Sequence, residues 1–197
     1  MAEQAAAKKA SPTKVVTEEV RLSYIYAHTP RADEENPDRL TYSVTCLIPK
    51  TDTVTIAKIN AAIEAVKADP KSAAIWGSKW LASFKSPLRD GDTEKDTEKS
   101  PEYKGNYFVN CNSVTKPGVV GKERDIEGKL IPLGESEVYS GGYGKVSINF
   151  YAFNKRSQGI AAGLGNIQWL RDGERLAGRA SADDDFGGPE ADDNFLG

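Results

Sequence analysis

Two carboxylates one residue apart, in Asp90-Gly91-Asp92, are the first candidates for chemistry in the sequence. Such a pair could share a magnesium ion and activate water against a phosphodiester, which would make the chain a metal-dependent nuclease using Asp90 and Asp92. Nothing near them supplies a third ligand. The run around them, residues 89–104, is densely charged and almost free of apolar side chains. An acidic turn in a solvated, mobile loop is the plainer reading, because such loops hold metals poorly. The single histidine, His28, stands before Thr29-Pro30 and reads as a loop residue; a nucleophilic triad would rest on it alone. Gly141-Gly142-Tyr143-Gly144 and Gly163-Leu164-Gly165 lack the spacing of a phosphate loop. Two cysteines, Cys46 and Cys111, make neither a disulfide scaffold nor a Cys/His zinc site. The expectation is a non-enzyme with no metal and no cofactor.

Binding is better represented. A single nucleic-acid strand needs cations to follow its phosphates and flat aromatic faces on which its bases stack. The chain interleaves the two. Tyr103-Lys104 precedes Tyr107-Phe108, Tyr139 and Tyr143 flank a glycine pair before Lys145, and Tyr151 and Phe153 precede Lys155-Arg156. Arg21, Lys50 and Lys116 add charge elsewhere, although each could simply aid solubility. Ordinary strand aromatics would look the same one at a time.

Charge divides the chain. Residues 1–181 carry a net +3, and the last 16 residues carry −6. That tail repeats an acidic pair followed by an aromatic: Asp184-Asp185-Phe186, then Asp192-Asp193-Asn194-Phe195. Carboxylates can mimic phosphates in a basic groove, and a phenylalanine can enter a partner's pocket while the acids meet its basic rim. A tail-driven adaptor without nucleic-acid binding is therefore the rival reading. No apolar run approaches the length of a membrane span, and residues 1–14 have no apolar segment of the secretory type.

The elements that must position these residues are mostly strands. Val20, Leu22, Tyr24 and Tyr26 alternate on one face; Leu40, Tyr42, Val44, Cys46 and Ile48 do the same. A polar loop, Pro30 to Asp38, separates them. Ile56, Ile59, Ile63 and Val66 make a helical stripe, and residues 71–84, with Trp76 and Trp80, suggest a second helix. A third strand spans Asn106 to Val114, and shorter ones are expected within 119–138. A flexible aromatic loop, residues 139–144, leads into the strongest strand, Lys145 to Phe153, with Val146, Ile148, Phe150 and Ala152 on one face and Lys145, Asn149 and Tyr151 on the other. Ile160, Leu164 and Ile167 have helical spacing, interrupted by glycines, and Leu176 to Arg179 suggests an edge strand. The fold class is mainly β: an OB-type five-stranded barrel with inserted helices. The expected divisions are a leader at 1–14, the barrel domain at 15–181 and a disordered acidic tail at 182–197.

The order of several blocks resembles a bacteriophage family of single-stranded DNA-binding proteins. The blocks are Arg21-Leu22-Ser23-Tyr24, Cys46 to Lys50, Pro87 to Asp92, Tyr103 to Phe108, Lys116-Pro117, Tyr139 to Asn154, Gly159 to Leu164, Asp172-Gly173-Glu174 and Gly178-Arg179. The resemblance covers roughly residues 14–181, and the acidic tail fits it as well. It implies an OB fold with helical additions that coats single-stranded DNA with little sequence preference during phage replication, recombination or repair. It also implies a tail that competes for the groove and recruits replication or recombination proteins, self-association as a homodimer, no membrane, and residence in the cytoplasm of an infected bacterial host. The DNA contacts it suggests are Tyr103, Lys104, Tyr107, Tyr139, Tyr143, Lys145, Tyr151 and Arg156.

Overall fold

A computed structural model describes residues 11–33, 36–77, 84–155 and 157–176. Five strands carry the body: β2 (Val20–Ala32), β3 (Leu40–Pro49), β5 (Asn106–Ser113), β8 (Tyr143–Lys155) and β9 (Ser157–Arg171). Four short strands join them: β1 (Lys14–Val16), β4 (Arg89–Asp90), β6 (Val119–Arg124) and β7 (Leu130–Pro132). The helices are α1 (Thr53–Ala68), α2 (Pro70–Trp76) and the short α3 (Gly91–Glu94).

The pairings close a ring. β2 pairs β3, β3 pairs β5, β5 runs parallel to β9, β9 pairs β8, and β8 returns to β2 through Val20 opposite Gly144 and Arg21 opposite Tyr143. The ring is OB-like and mainly β, and inserted helices flank it. β1 adds to the outer edge of β8, and β6 followed by β7 adds to β9. The inward face the sequence predicts holds at Val44, Cys46 and Ile48 on β3 and at Val146, Ile148 and Phe150 on β8, all buried, but not at the start of β3, where Leu40 is exposed and Thr41 is buried. Cys46 and Cys111 are free thiols in that core. α1 starts where the Asp52 carboxylate accepts from the Thr55 N–H at 2.9 Å, and it buries Ile59, Ala62, Ile63 and Val66. α2 holds the β8–β9 hairpin, with Trp76 Nε1 donating to the Gly159 carbonyl at 3.1 Å. No helix among the described residues is long and apolar enough to cross a membrane.

Several expectations change. The helical spacing at residues 157–170 belongs to β9. Val146 faces Ile167 and Ile148 faces Leu164, so β9 fits one extra residue there. Ile160, Ala162 and Leu164 point inward at period two, and the slip then brings Ile167 and Trp169 inward. Offsets of four and three follow from a bulged strand as readily as from a helix. The glycines belong to the sheet: a β-carbon on Gly165 would lie 2.3 Å from Ser147 Oγ, and one on Gly159 would lie 2.5 Å from the Lys85 carbonyl.

The second helix stops at Trp76, where Gly77 turns with φ +65°; Trp80 lies outside the described residues. β2 continues to Ala32, so Pro30 is in a strand and His28, also on β2, has Nε2 2.9 Å from the Leu133 carbonyl. β1 begins at Lys14, inside the expected leader. Residues 89–104 form a folded insert: β4, then α3, then a 3-10 turn over Pro101–Tyr103 that buries Tyr103. The glycines after Tyr139 serve contact rather than flexibility, since a β-carbon on Gly142 would lie 1.8 Å from the Trp169 ring. Leu176 is not in a strand; it packs on a small cluster of Leu47, Tyr103 and Phe108. Residues 177–179 and the acidic tail lie outside the described residues.

Candidate nucleic-acid interface

A bulge in β2 decides which aromatics reach solvent. Ser23 faces Thr45 and Tyr26 faces Ser43, so three steps on β2 match two on β3. Val20 and Leu22 stay in the core, while Ile25 and Ala27 rejoin it on the far side of the bulge. Tyr24 takes φ +46°, the one positive value at a non-glycine among the described residues. The expected core alternation therefore fails at Tyr24 and Tyr26. Both line a small cleft with Ser23, Glu102, Ser140 and Leu176 on the outer side of the ring, and Tyr24 is 46% exposed. The Arg31 guanidinium sits 4.3 Å from the centre of the Tyr26 ring.

From Tyr26 a row of small polar positions runs around the outside. Tyr26 pairs Ser43, Ser43 pairs Asn112, Asn112 pairs Gly163, and Gly163 pairs Asn149. One step along, Thr45 faces Asn110 and its hydroxyl donates to Asn110 Oδ1 at 3.0 Å. Tyr151, also 46% exposed, lies against Gly163: a β-carbon there would be 3.4 Å from its ring. The surface thus has an uncharged floor of serine, threonine and asparagine between exposed tyrosines. In an OB ring the second and third strands, here β3 and β5, are those that receive oligonucleotides.

The candidates read from the sequence are scattered over the fold. Tyr151 is on this surface. Lys104 is exposed beside the 3-10 turn, and Lys116 is exposed in the turn after β5. Tyr103 is a correction: at 3% exposure it packs edge-on against Phe108, 5.1 Å between centroids, and offers no face to a base. Burial pushes its hydroxyl up to about 12.

Tyr139, Tyr143 and Arg21 gather with the segment after β9. The Tyr143 ring carries the Arg171 guanidinium at 3.6 Å, and Arg171 is in turn held by Glu19 at 2.6 Å. Tyr139 meets Trp169 edge-on at 5.2 Å and has Arg175 4.0 Å from its centre. Arg21 donates to the carbonyls of Gly141 at 3.2 Å and Glu174 at 2.8 Å. These groups strap residues 172–176 across the ring, and Leu176 N–H donates to the Ser140 carbonyl at 2.8 Å. Lys145 bonds Glu18 at 3.2 Å, which also binds Lys58.

Lys50 stands apart from these, and it removes the nuclease reading. Its ammonium lies 2.8 Å from Asp90 and 2.8 Å from Asp92, above the half-buried Tyr107 ring. Both carboxylates also accept backbone bonds, Asp90 from the Asp92 N–H and Asp92 from the Gly105 N–H, each at 2.9 Å. The pair is a staple for the insert. Hydrogen bonds first to Asp90 and then to Asp92 hold the Lys50 ammonium above the ordinary lysine range, and Lys50 holds both carboxyls below theirs. Among the described residues no group of three His, Cys, Asp or Glu could hold a metal ion. Arg156 falls in the β8–β9 connection, outside the described residues, as do Asp184, Asp185, Phe186, Asp192, Asp193 and Phe195.

An OB-like ring with exposed tyrosines on an uncharged outer floor defines the class: a mainly β, OB-like fold of the kind that can receive nucleic acid. The family follows from the sequence. Residues 13–196 match the family described as "Enterobacter phage Enc34, ssDNA-binding protein", and the chain belongs to that family. It is a family of binding proteins, not of enzymes. The solved structure of the phage Enc34 single-stranded DNA-binding protein in complex with ssDNA is 25% identical, with a TM-score of 0.66 over 87% of this chain and 97% of that one. A protein designated p50, from Acyrthosiphon pisum secondary endosymbiont phage 1, is 26% identical over 146 residues, 70% of this chain and 72% of its own length. The gp2.5 single-stranded DNA-binding protein of bacteriophage T7 shares the fold at 13% identity, with a TM-score of 0.57 over 86% of this chain and 96% of that one.

Proposed function

We propose that the chain binds single-stranded DNA on the outer surface of β2, β3 and β5, extending to Tyr151. The observation that carries this reading is the pairing of exposed Tyr24 and half-buried Tyr26 with an uncharged floor, within a family of ssDNA-binding proteins. Exposed rings favour unstacked bases, which a duplex does not offer. Ser43, Asn110 and Asn112 on the floor can bond any base edge or sugar, and the Arg31 guanidinium beside them lies over the Tyr26 ring. Coating with little sequence preference follows, in phage DNA replication, recombination or repair within the infected host's cytoplasm.

The acidic tail supplies the second half of the reading: it gates the surface by competing with phosphates, and it recruits replication or recombination proteins. Its acidic-aromatic repeats support that role. Anisotropy of labelled oligo-dT and of a duplex, each titrated at low and high salt, tests the binding. Saturable binding that prefers the single strand and weakens steeply with salt is the expected result. Equal affinity for duplex, or no binding by either full-length or tail-deleted protein, would overturn it.

A further inference from the structure

Two features are left without a role. One is Ile126, fully exposed at the tip of the β6–β7 hairpin. The tip is rigid. Asp125 Oδ1 accepts from the N–H groups of Glu127 and Lys129, both at 2.9 Å, and Arg124 donates to the Gly128 carbonyl at 2.6 Å. An isoleucine held in water on a preorganised turn loses little freedom on docking. The other feature is an open cleft of about 420 Å³ between β1 and α1. Pro12, Val15, Val16 and Ala61 give it an apolar lining, with Val16 50% exposed, and Lys14 and Lys58 stand at it.

The two features match in chemistry and in place. Asp125 and Glu127 flank Ile126, and Lys14 and Lys58 flank the apolar lining; Lys58 is shared with Glu18, and Glu127 with Lys129. The strands run β1-β8-β9-β6-β7 in space, so the cleft lies at one terminal edge and the hairpin at the other. In a row of copies each tip can meet the cleft of the next. We infer that copies of this chain associate head to tail, the Asp125-Ile126-Glu127 tip of one seated in the β1–α1 cleft of the next. The contact is heterologous. It leaves a free tip and a free cleft at the ends, and so extends along a strand instead of closing as a two-fold dimer.

Cross-linking tests the contact directly. The native thiols Cys46 and Cys111 are buried, so surface cysteines can be read alone. Full-length Ile126→Cys and Ala61→Cys proteins are mixed on long oligo-dT and mildly oxidised. The expected product is a mixed dimer on a non-reducing gel, absent when either variant is oxidised by itself. Ile126→Ser is the second arm. It should keep full affinity for the shortest oligo-dT that takes one copy and lose cooperative coverage of long strands, with a drop on the order of tenfold to a hundredfold in neighbour affinity, the range for an isoleucine returned to water. No mixed cross-link overturns the proposal and leaves the DNA-binding reading intact. A dimer from one variant alone would mean a symmetric contact instead, and loss of single-copy binding by Ile126→Ser would mean that the tip touches DNA; either refutes the inference.

Discussion

Tyr24 allows the binding and the backbone arguments to be tested separately. Replacing it with alanine or with glycine removes the same ring. A stacked base is worth about 1–3 kcal/mol. More than half of the Tyr24 surface is already covered, since it is 46% exposed, which points to the lower part of that range. Both variants should lose roughly 5- to 12-fold in affinity for oligo-dT, about 1–1.5 kcal/mol. Their stabilities should diverge. At φ +46° a β-carbon costs about 1–2 kcal/mol, which alanine keeps and glycine relieves. Glycine in turn gives the unfolded chain about 0.5–1 kcal/mol of extra freedom. The balance leaves Tyr24→Gly more stable than Tyr24→Ala by about 0.5–1 kcal/mol, or roughly 1–4 °C in melting temperature for a domain of this size. Anisotropy and thermal melting on the two purified variants measure both quantities. Wild-type affinity in both would remove Tyr24 from the interface. A glycine variant that melts below the alanine variant would refute the strain argument.

Tyr103→Ala should cost about 3 kcal/mol of stability, since the ring is buried in the outer cluster, while the folded fraction keeps its affinity for DNA; unchanged melting with lost binding would return Tyr103 to the interface. The Lys50 staple predicts a pH effect. Asp90 and Asp92 have lowered values in the fold, so their contribution is present above the ordinary aspartate value of 3.8 and is lost as pH falls through the depressed ones. Melting followed down through that range should show less acid sensitivity in Lys50→Met than in the wild type, and equal sensitivity would deny the staple that role. Deleting residues 182–197 should strengthen ssDNA binding or leave it unchanged in the anisotropy assay; a large loss would refute gating.

Strands with unbroken alternation were legible in the sequence, and strands with bulges were not. Val146, Ile148 and Phe150 read correctly because β8 holds its period through all three. β9 read as a helix because one extra residue near Gly165 turns a period of two into offsets of four and three. In β2 the error ran the other way. Tyr24 and Tyr26 continue the alternation of Val20 and Leu22 without a break in sequence, yet the bulge turns them outward. The nearest signal was Ser23, a polar residue between apolar ones that marks no bulge by itself. Tyr103 was misread for another reason. Its neighbours are charged or polar, and only the folding back of the insert brings it onto Leu47 and Phe108. Lys50 has the same lesson: its carboxylate partners are 40 and 42 residues away in sequence, beyond any local pattern.

The closure of the ring also governs when this chain can fold. β2 meets β8 only through Arg21 with Tyr143 and Val20 with Gly144, and the parallel partner of β5 is β9, the last strand among the described residues. During synthesis at about 5–20 residues per second, β2 waits roughly 6–24 s for its second neighbour. Until β9 leaves the ribosome, the strand edges of β5 and β8 that it will cover stay unpaired and open to other nascent chains. Folding is therefore a late, non-local event of the slow β type, and a chain cut short before β9 leaves the ring open between β5 and β8.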